Sequence, residues 1–289
     1  MTMITPSSKL TLTKGNKSWS STAVAAALEL VDPPGCRNSA RALIHFGISN
    51  AFALPATSLR GRSTEQLVAM AAAAEVVLLD FWVSPFGQRC RIALAEKGVA
   101  YEYREQDLLD KGELLLRSNP IHKKIPVLLH AGRPVCESLV ILQYIDEAWP
   151  DVALLPADPY ARAQARFWAD YVDKKLYDCG TRLWKFEGEA REQAKKDLVE
   201  VLETLEGELA DKPFFGGGAL GFVDVALVPF TSWFLAYEKL GGFSVQEHCP
   251  RIVAWAARCR ERESVAKAMS DPAKVLEFVQ FLQSKFGAK

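Results

Sequence analysis

The run Val76-Val77-Leu78-Leu79-Asp80-Phe81-Trp82-Val83, followed at once by Ser84-Pro85-Phe86-Gly87, constrains this chain more than any other stretch. The first part is short, mostly apolar and rich in β-formers, which predicts a buried strand. The Ser-Pro-Phe-Gly break ends it. Phe86, Cys90, Ala93 and Leu94 then recur at helical spacing, Pro85 suits a first helical turn, and Gly98 can close the helix in the left-handed region. The pattern delivers Ser84 to a corner where a sheet meets a helix N-terminus. Unpaired backbone N–H groups and the positive end of the helix dipole favour a bound anion at such a corner. Capping the helix is the plainer job for the same serine.

Downstream, Tyr101 and Tyr103 alternate with polar residues in a second expected strand, and Leu108 to Arg117 offers a short helix. Ile125 to His130 and Pro134 to Cys136 flank Ala131-Gly132-Arg133, a hairpin signal. Ser138 can then cap a helix through Leu139, Leu142 and Ile145 that stops before Pro150. This β-α-β then β-β-α order is that of a thioredoxin-like domain. The proline-rich segment from Trp149 to Pro159 ends it. Beyond lie five clear helical periods: Ala161 to Trp184, Glu189 to Ala210, Phe222 to Leu240, Pro250 to Arg262 and Pro272 to Phe286.

The totals narrow the function. Lys plus Arg and Asp plus Glu each number 35, so nothing advertises nucleic acid. Six cysteines lie scattered without C-x-x-C pairs, which reads as a reduced, cytosolic chain with neither a disulfide framework nor a zinc site. The four histidines are not spaced like a metal helix. No apolar run approaches the roughly 18 residues that span a bilayer.

The segment from Asp80 through Ser84-Pro85-Phe86-Gly87 to Arg89 resembles the opening of the tau-class glutathione transferases, and the resemblance continues from Glu75 to the C-terminus. It implies a thioredoxin-like glutathione-binding domain over 70–149, a linker over 150–158 and an all-helical domain over 159–289 carrying an apolar substrate pocket. In that family the serine hydroxyl donates to the glutathione sulfur, which gives Ser84 the catalytic role. A dithiol oxidoreductase is disfavoured, because Ser84 stands where such a fold needs its nucleophilic cysteine. The resemblance makes Pro126 cis, with Ile125 pairing with the cysteinyl backbone of glutathione as an extra strand. A helix N-terminus plus a hydroxyl suits a carboxylate and a neighbouring glutamate suits an ammonium, so Glu137 and Ser138 fit the γ-glutamyl end. Lys111 and Lys123 fall to its glycyl carboxylate.

Gly221-Phe222-Val223-Asp224 looks like the family's capping motif, with Asp224 reaching back to the Gly221 N–H and Gly221 unable to reciprocate. For the pocket, the resemblance points to Phe86, Tyr177, Trp184, Phe230 and Phe281. It further implies a cytosolic homodimer that needs glutathione and no metal, detoxifies apolar electrophiles and reduces organic hydroperoxides as a side activity. The alternative is a non-catalytic carrier of apolar metabolites or glutathione conjugates. A structural partner domain is the weaker third reading, since Ser84, Ile125-Pro126 and Glu137-Ser138 are all intact.

Residues 1–69 differ in kind, being basic and rich in Ser, Thr and Ala, a composition that suggests a transit peptide. Residues 1–39 instead resemble the β-galactosidase alpha-fragment leader of cloning vectors. Residues 40–69 then read as upstream message translated by accident, with Met70 as the native start. Deleting residues 1–69 is expected to leave transferase activity and melting temperature unchanged; loss of the fold on deletion would refute the assignment.

Overall fold

The structure, a computed structural model, describes residues 75–286; the leader assigned to 1–69 and the start at Met70 lie outside the described residues. Strand β1 spans Val76–Asp80 and is buried along its whole length. Period-two alternation explains why: Val76 and Leu78 join one core, whereas Val77 and Leu79 join another on the opposite face. The expected strand reached Val83, but it ends at Asp80. The Ser84 N–H donates to the Phe81 carbonyl at 2.9 Å, and that turn peels the chain off the sheet.

Helix α1 (Pro85–Glu96) follows and is closed by Gly98 at φ +65°. Strand β2 (Glu102–Glu105) lies parallel to β1, with Val77 opposite Glu102. A short helix α2 (Glu113–Ser118) begins five residues later than its apolar pattern does. Strands β3 (Val127–His130) and β4 (Arg133–Cys136) form a hairpin in which His130 faces Arg133. Its two-residue turn holds Ala131 at φ +49° and Gly132 at φ +73°, the left-handed pair that matches the twist of a hairpin. The sheet order is β2-β1-β3-β4, with β3 antiparallel to β1. Helix α3 (Ser138–Ala148) packs beside α1. This is the expected thioredoxin-like order.

The remainder is helical. Helix α4 (Pro159–Tyr171) runs through a π turn (Val172–Leu176) into α5 (Tyr177–Lys185), and α6 (Gly188–Leu209) returns alongside α5. The stretch expected as one helix from Phe222 to Leu240 is broken into α7 (Phe222–Leu227), a 3-10 turn (Val228–Ser232) and α8 (Phe234–Gly241). Pro229 lacks the N–H that a continuous α-helix needs there. Two short helices, α9 (Val245–His248) and α11 (Glu263–Ala268), escaped the periodicity; α10 (Pro250–Arg260) and α12 (Pro272–Phe286) did not. Val275, Phe278, Val279 and Leu282 of α12 pack on the Val77–Leu79 face of the sheet, so the last helix of the chain covers the first strand.

Asp224 holds the start of α7 with four bonds. Its Oδ2 accepts from the N–H groups of Gly221 (2.8 Å) and Gly216 (2.9 Å), and its Oδ1 accepts from the Phe215 N–H (2.8 Å) and the Trp255 indole N–H (2.7 Å). Gly221 offers no reciprocal side chain, so half of a capping box joins α7, α10 and the loop after α6. Asp80, also fully buried, ends β1 beneath Gly87, where a Cβ would fall 1.6 Å from Asp80 Oδ1. Arg91 approaches to 3.2 Å, while Glu105 repels from β2. Burial wins and pushes the Asp80 carboxyl up to about 7.

Asp224→Ala strands two buried donors, the Gly221 N–H and the Trp255 indole N–H, and about 1–3 kcal/mol per unsatisfied group predicts a loss of at least ~2 kcal/mol in urea unfolding. A loss below ~1 kcal/mol would mean that water reaches them. The folded pKa of Asp80 lies above the unfolded one. The stability this adds is therefore fully present below about pH 4 and is lost as pH climbs to about 7, at about 1.4 kcal/mol per unit. Asp80→Asn removes that slope, so its stability relative to wild type should rise between pH 4 and 7 and level off above; parallel pH profiles would refute the assignment.

Candidate active site

Ser84 is the N-cap of α1, 4% exposed, with extended backbone angles. Its Oγ accepts from the Gly87 N–H at 3.3 Å, and its carbonyl accepts from the Gln88 N–H at 3.0 Å. Pro85 has no N–H to offer. Capping uses a lone pair of the hydroxyl and leaves its hydrogen, for which no acceptor lies among the described residues. The two jobs foreseen for Ser84 are therefore compatible.

Both halves of the chain fix this corner. The Trp82 carbonyl accepts from Arg91 Nη2 and from Ser270 Oγ, each at 2.9 Å. Ser270 in turn accepts from the buried Gln88 side chain at 2.9 Å. Ser270 lies just before α12, so the last helix of the chain braces the loop that carries Ser84.

Past Phe86 is a polar groove of about 200 Å³ lined by Phe86, Ile125, Pro126, Glu137, Ser138 and Asp173, with Asn119, Lys124 and Tyr177; Ser84 itself does not line it. The Ile125–Pro126 peptide is cis. Glu137 takes φ +70° and ψ +118°, a sparsely populated conformation for a side-chain-bearing residue and one that collects at functional sites. Ser138 was expected to cap α3. It is instead the first helical residue, Glu137 occupies the cap position without a side-chain bond, and Ser138 Oγ accepts from Arg89 Nη1 at 2.9 Å. Lys111 is half-buried ahead of α2 and Lys123 is exposed at φ +54°; neither lines the groove, whereas Lys124 does.

Ser84 faces an apolar cavity. Phe86, Tyr177, Trp184 and Phe230 line it with Ser84, as do Phe278 and Leu282. Phe281 does not: the pair at i and i+4 on α12 takes the inward stripe, and Phe281 falls beside it. Phe86 meets Tyr177 edge-on at 4.9 Å and Phe230 at 5.8 Å. Burial pushes the Tyr177 and Tyr237 phenols upward, and no charged side chain lines the cavity. Only neutral matter is at home there.

Arg89 went unnoticed in the sequence. Its guanidinium is fully buried and donates to the Ala226 carbonyl (2.8 Å), to Ser138 Oγ and to Asp173 Oδ1 (2.5 Å), while lying over the Phe86 and Phe230 rings. The signal was available: Arg89 sits three residues after Phe86 and four before Ala93, on the inward stripe of α1. Asp173 had no comparable signal, because a π turn sets its direction.

Among the described residues, the protein's own thiols do not compete as nucleophiles. Burial pushes Cys90 and Cys259 upward, Cys249 to about 12 and Cys179 to about 11, and Cys136 is also raised. Among the described residues no cluster of His, Cys, Asp and Glu could hold a metal ion, and no helix is long and apolar enough to cross a membrane.

Residues 74–147 match the glutathione S-transferase N-terminal domain and residues 188–258 its C-terminal domain. The chain is 63% identical over 231 residues to a protein of Oryza sativa subsp. japonica named probable glutathione S-transferase GSTU1, an overlap of 76% of this chain and 100% of that one. It is 58% identical over 213 residues to glutathione S-transferase U19 of Arabidopsis thaliana, covering 73% and 97%. Among solved structures, rice GST1 in complex with glutathione superposes with a TM-score of 0.72 at 63% identity, over 74% of this chain and 98% of that one. A tau-class enzyme from mango, Mangifera indica, gives 0.70 at 42% identity, over 73% and 100%. With the cis-proline groove, the strained Glu137 and the capping serine already side by side, the chain belongs to the glutathione S-transferase family, in its tau class.

Proposed function

We propose that Ser84 donates its hydroxyl hydrogen to the sulfur of glutathione and holds it as a thiolate, which attacks an apolar electrophile seated in the adjoining cavity. The observation that carries this reading is the position of Ser84, a buried hydroxyl with an uncommitted hydrogen in the wall of an apolar cavity that shares Phe86 and Tyr177 with a polar groove. Glutathione is the co-substrate of this transferase. Its γ-glutamyl carboxylate fits the Ser138 end of α3, with the Arg89 charge behind it. Its ammonium fits Glu137 and Asp173, and its cysteinyl backbone fits Ile125 beside Pro126. The glycyl carboxylate goes to Lys111 and Lys123, with Lys124 the lysine nearest the groove.

The energetics show what this arrangement can supply. A free thiol has pKa about 8.5, and lowering it by two units takes roughly 2.7 kcal/mol. One hydrogen bond nets about 0.5–1.5 kcal/mol, and the α1 terminus, with no acidic residue in its first turn, adds about 0.3–1 and at most about 2. Together they reach that figure only at the upper end of both ranges. Ionisation then rises about 20- to 30-fold, while lost basicity takes back about 10-fold at a slope of about 0.5. Most acceleration therefore comes from holding thiolate and electrophile in attack geometry, the task of Phe86, Tyr177, Trp184 and Phe230, with Phe281 alongside. Carbon–sulfur bond formation expels the leaving group, and the thiol proton departs to solvent.

The native unit is 70–149 for glutathione, 150–158 as linker and 159–289 for the electrophile, working as a homodimer in the cytosol. Exposed Val140, Tyr160 and Phe167 support a second copy on the α3–α4 face, where Arg166 bonds Gln143. Xenobiotics are the electrophile class, and organic hydroperoxide reduction is a side activity of the same thiolate. An uncharged cavity also suits a carrier of apolar metabolites or conjugates, and turnover measured against binding for one ligand separates the two roles.

Ser84→Ala should lower kcat about 100-fold, the usual cost of one donor to a reacting anion, with glutathione KM within a few-fold and a small drop in melting temperature from the lost cap. Ser138→Ala should raise glutathione KM about 10-fold and leave kcat within a few-fold. Equal effects of both on affinity alone would undo these roles.

A further inference from the structure

Asp80 is buried at the end of β1, and neither carboxylate oxygen has a hydrogen-bond partner among the described residues. Arg91 Nε, 3.2 Å from Oδ2, lies off the line that a hydrogen bond needs and is unpartnered as well. Native interiors seldom keep a polar group in that state without a use for it. The surroundings of the carboxyl suggest the use. Gly87 supplies the N–H that Ser84 Oγ accepts, and a Cβ on Gly87 would overlap Asp80 Oδ1, so only a glycine lets the carboxyl press against the first turn of α1. The bond lengths joining these atoms leave Oδ1 no more than about 8 Å from Ser84 Oγ. The first turn of α1 has no acidic residue, so Asp80 brings to it from the sheet a negative charge that its own sequence lacks. The ionisable neighbours of Asp80 are Arg91 and Cys90 of α1, Glu105 and Tyr103 of β2, and Tyr101 just before that strand. Burial pushes the Cys90 thiol and both phenols upward, so they stay neutral near neutral pH. Desolvation outweighs the Arg91 charge, Glu105 adds to it, and the Asp80 carboxyl rises to about 7.

We infer that Asp80 is a positioning residue for the thiol chemistry that acts through its charge: its carboxyl and the glutathione sulfur at Ser84 titrate as a coupled pair, each anion making the other harder to form. This rests on Ser84 holding that sulfur. A sulfur within hydrogen-bond reach of Ser84 lies within about 11 Å of the carboxyl, and two like charges so placed inside a protein shift one another by about half to one pH unit. Each proton leaves to solvent. While the carboxyl is neutral the thiolate forms unopposed; once it ionises, the carboxylate works against the sulfur anion. The thiolate of the wild-type enzyme therefore titrates over a wider pH range than a single proton does.

The test uses the full-length enzyme saturated with glutathione and follows the ultraviolet absorbance of the bound thiolate against pH, with S-methylglutathione as the blank. Asp80→Asn keeps the shape and removes the charge; Asp80→Leu, branched at the same carbon, is a second uncharged variant should the first not fold. The midpoint of thiolate formation should fall by about half to one pH unit, and the curve should steepen to that of a single proton. Damage to the Ser84 corner acts the other way and raises the midpoint, so the sign separates a charge effect from a structural one. A midpoint that rises, or that stays within about 0.2 unit of wild type, overturns the assignment of Asp80 and leaves the transferase reading intact. Wild type offers a second measurement without any substitution. By reciprocity, the infrared C=O stretch of the Asp80 carboxylic acid should persist to higher pH with glutathione bound than with S-methylglutathione, which has no thiol proton to lose; coincident titrations would sink the coupling. Ser84→Ala should raise the thiolate midpoint, and a midpoint equal to that of wild type would instead separate Ser84 from the sulfur and remove this inference with it.

Discussion

A single buried cation holds the working parts of this enzyme in one frame. The Arg89 guanidinium, wholly removed from water, is shared between the Ala226 carbonyl of α7, Ser138 at the head of α3 and Asp173 of the π turn. A buried charge is tolerated only when its donors are matched, and removing one partner of such a pair costs about 3–5 kcal/mol. Arg89 thus makes the position of α1, which carries Ser84, depend on elements from both halves of the chain. The polar groove inherits its geometry from the same bonds, because Ser138 and Asp173 line it.

The two-sided sheet is the second constraint. Strand β1 buries Val76 and Leu78 under α1 and α3, and Val77 and Leu79 under α12. A strand covered on both faces has no freedom to slip by one residue without exchanging its two cores. Its end at Asp80 is therefore a fixed point, and Ser84, four residues on, is carried on a loop braced by Arg91 and Ser270. Precision of this kind is what attack geometry requires, since little net rate comes from thiol ionisation by itself.

The division between groove and cavity follows from which helix faces meet at Ser84. Helix α3 and the β3 approach present backbone and polar side chains, which suit a charged tripeptide. Helices α5, α8 and α12 present aromatic rings, which suit an apolar second substrate. Ser84 lines the cavity next to Phe86, which cavity and groove share, and one hydroxyl serves a structural bond to Gly87 and a chemical one without conflict because donor and acceptor are different sites on the same oxygen.

Local order determined a large share of this. The strand-break-helix at Ser84, the hairpin through Ala131-Gly132, the left-handed Gly98 and the helices ending at Phe286 are set by spacing, proline and glycine, which act within a few residues. Tertiary structure decided the rest. That Arg89 points inward to Ser138, that Ser138 accepts a bond instead of capping and that Phe278 takes the inward place beside Phe281 depend on partners far away in sequence. Periodicity names the face of a helix that is buried; it does not name what will be waiting there, because side-chain contacts between distant elements are fixed only when the whole core closes.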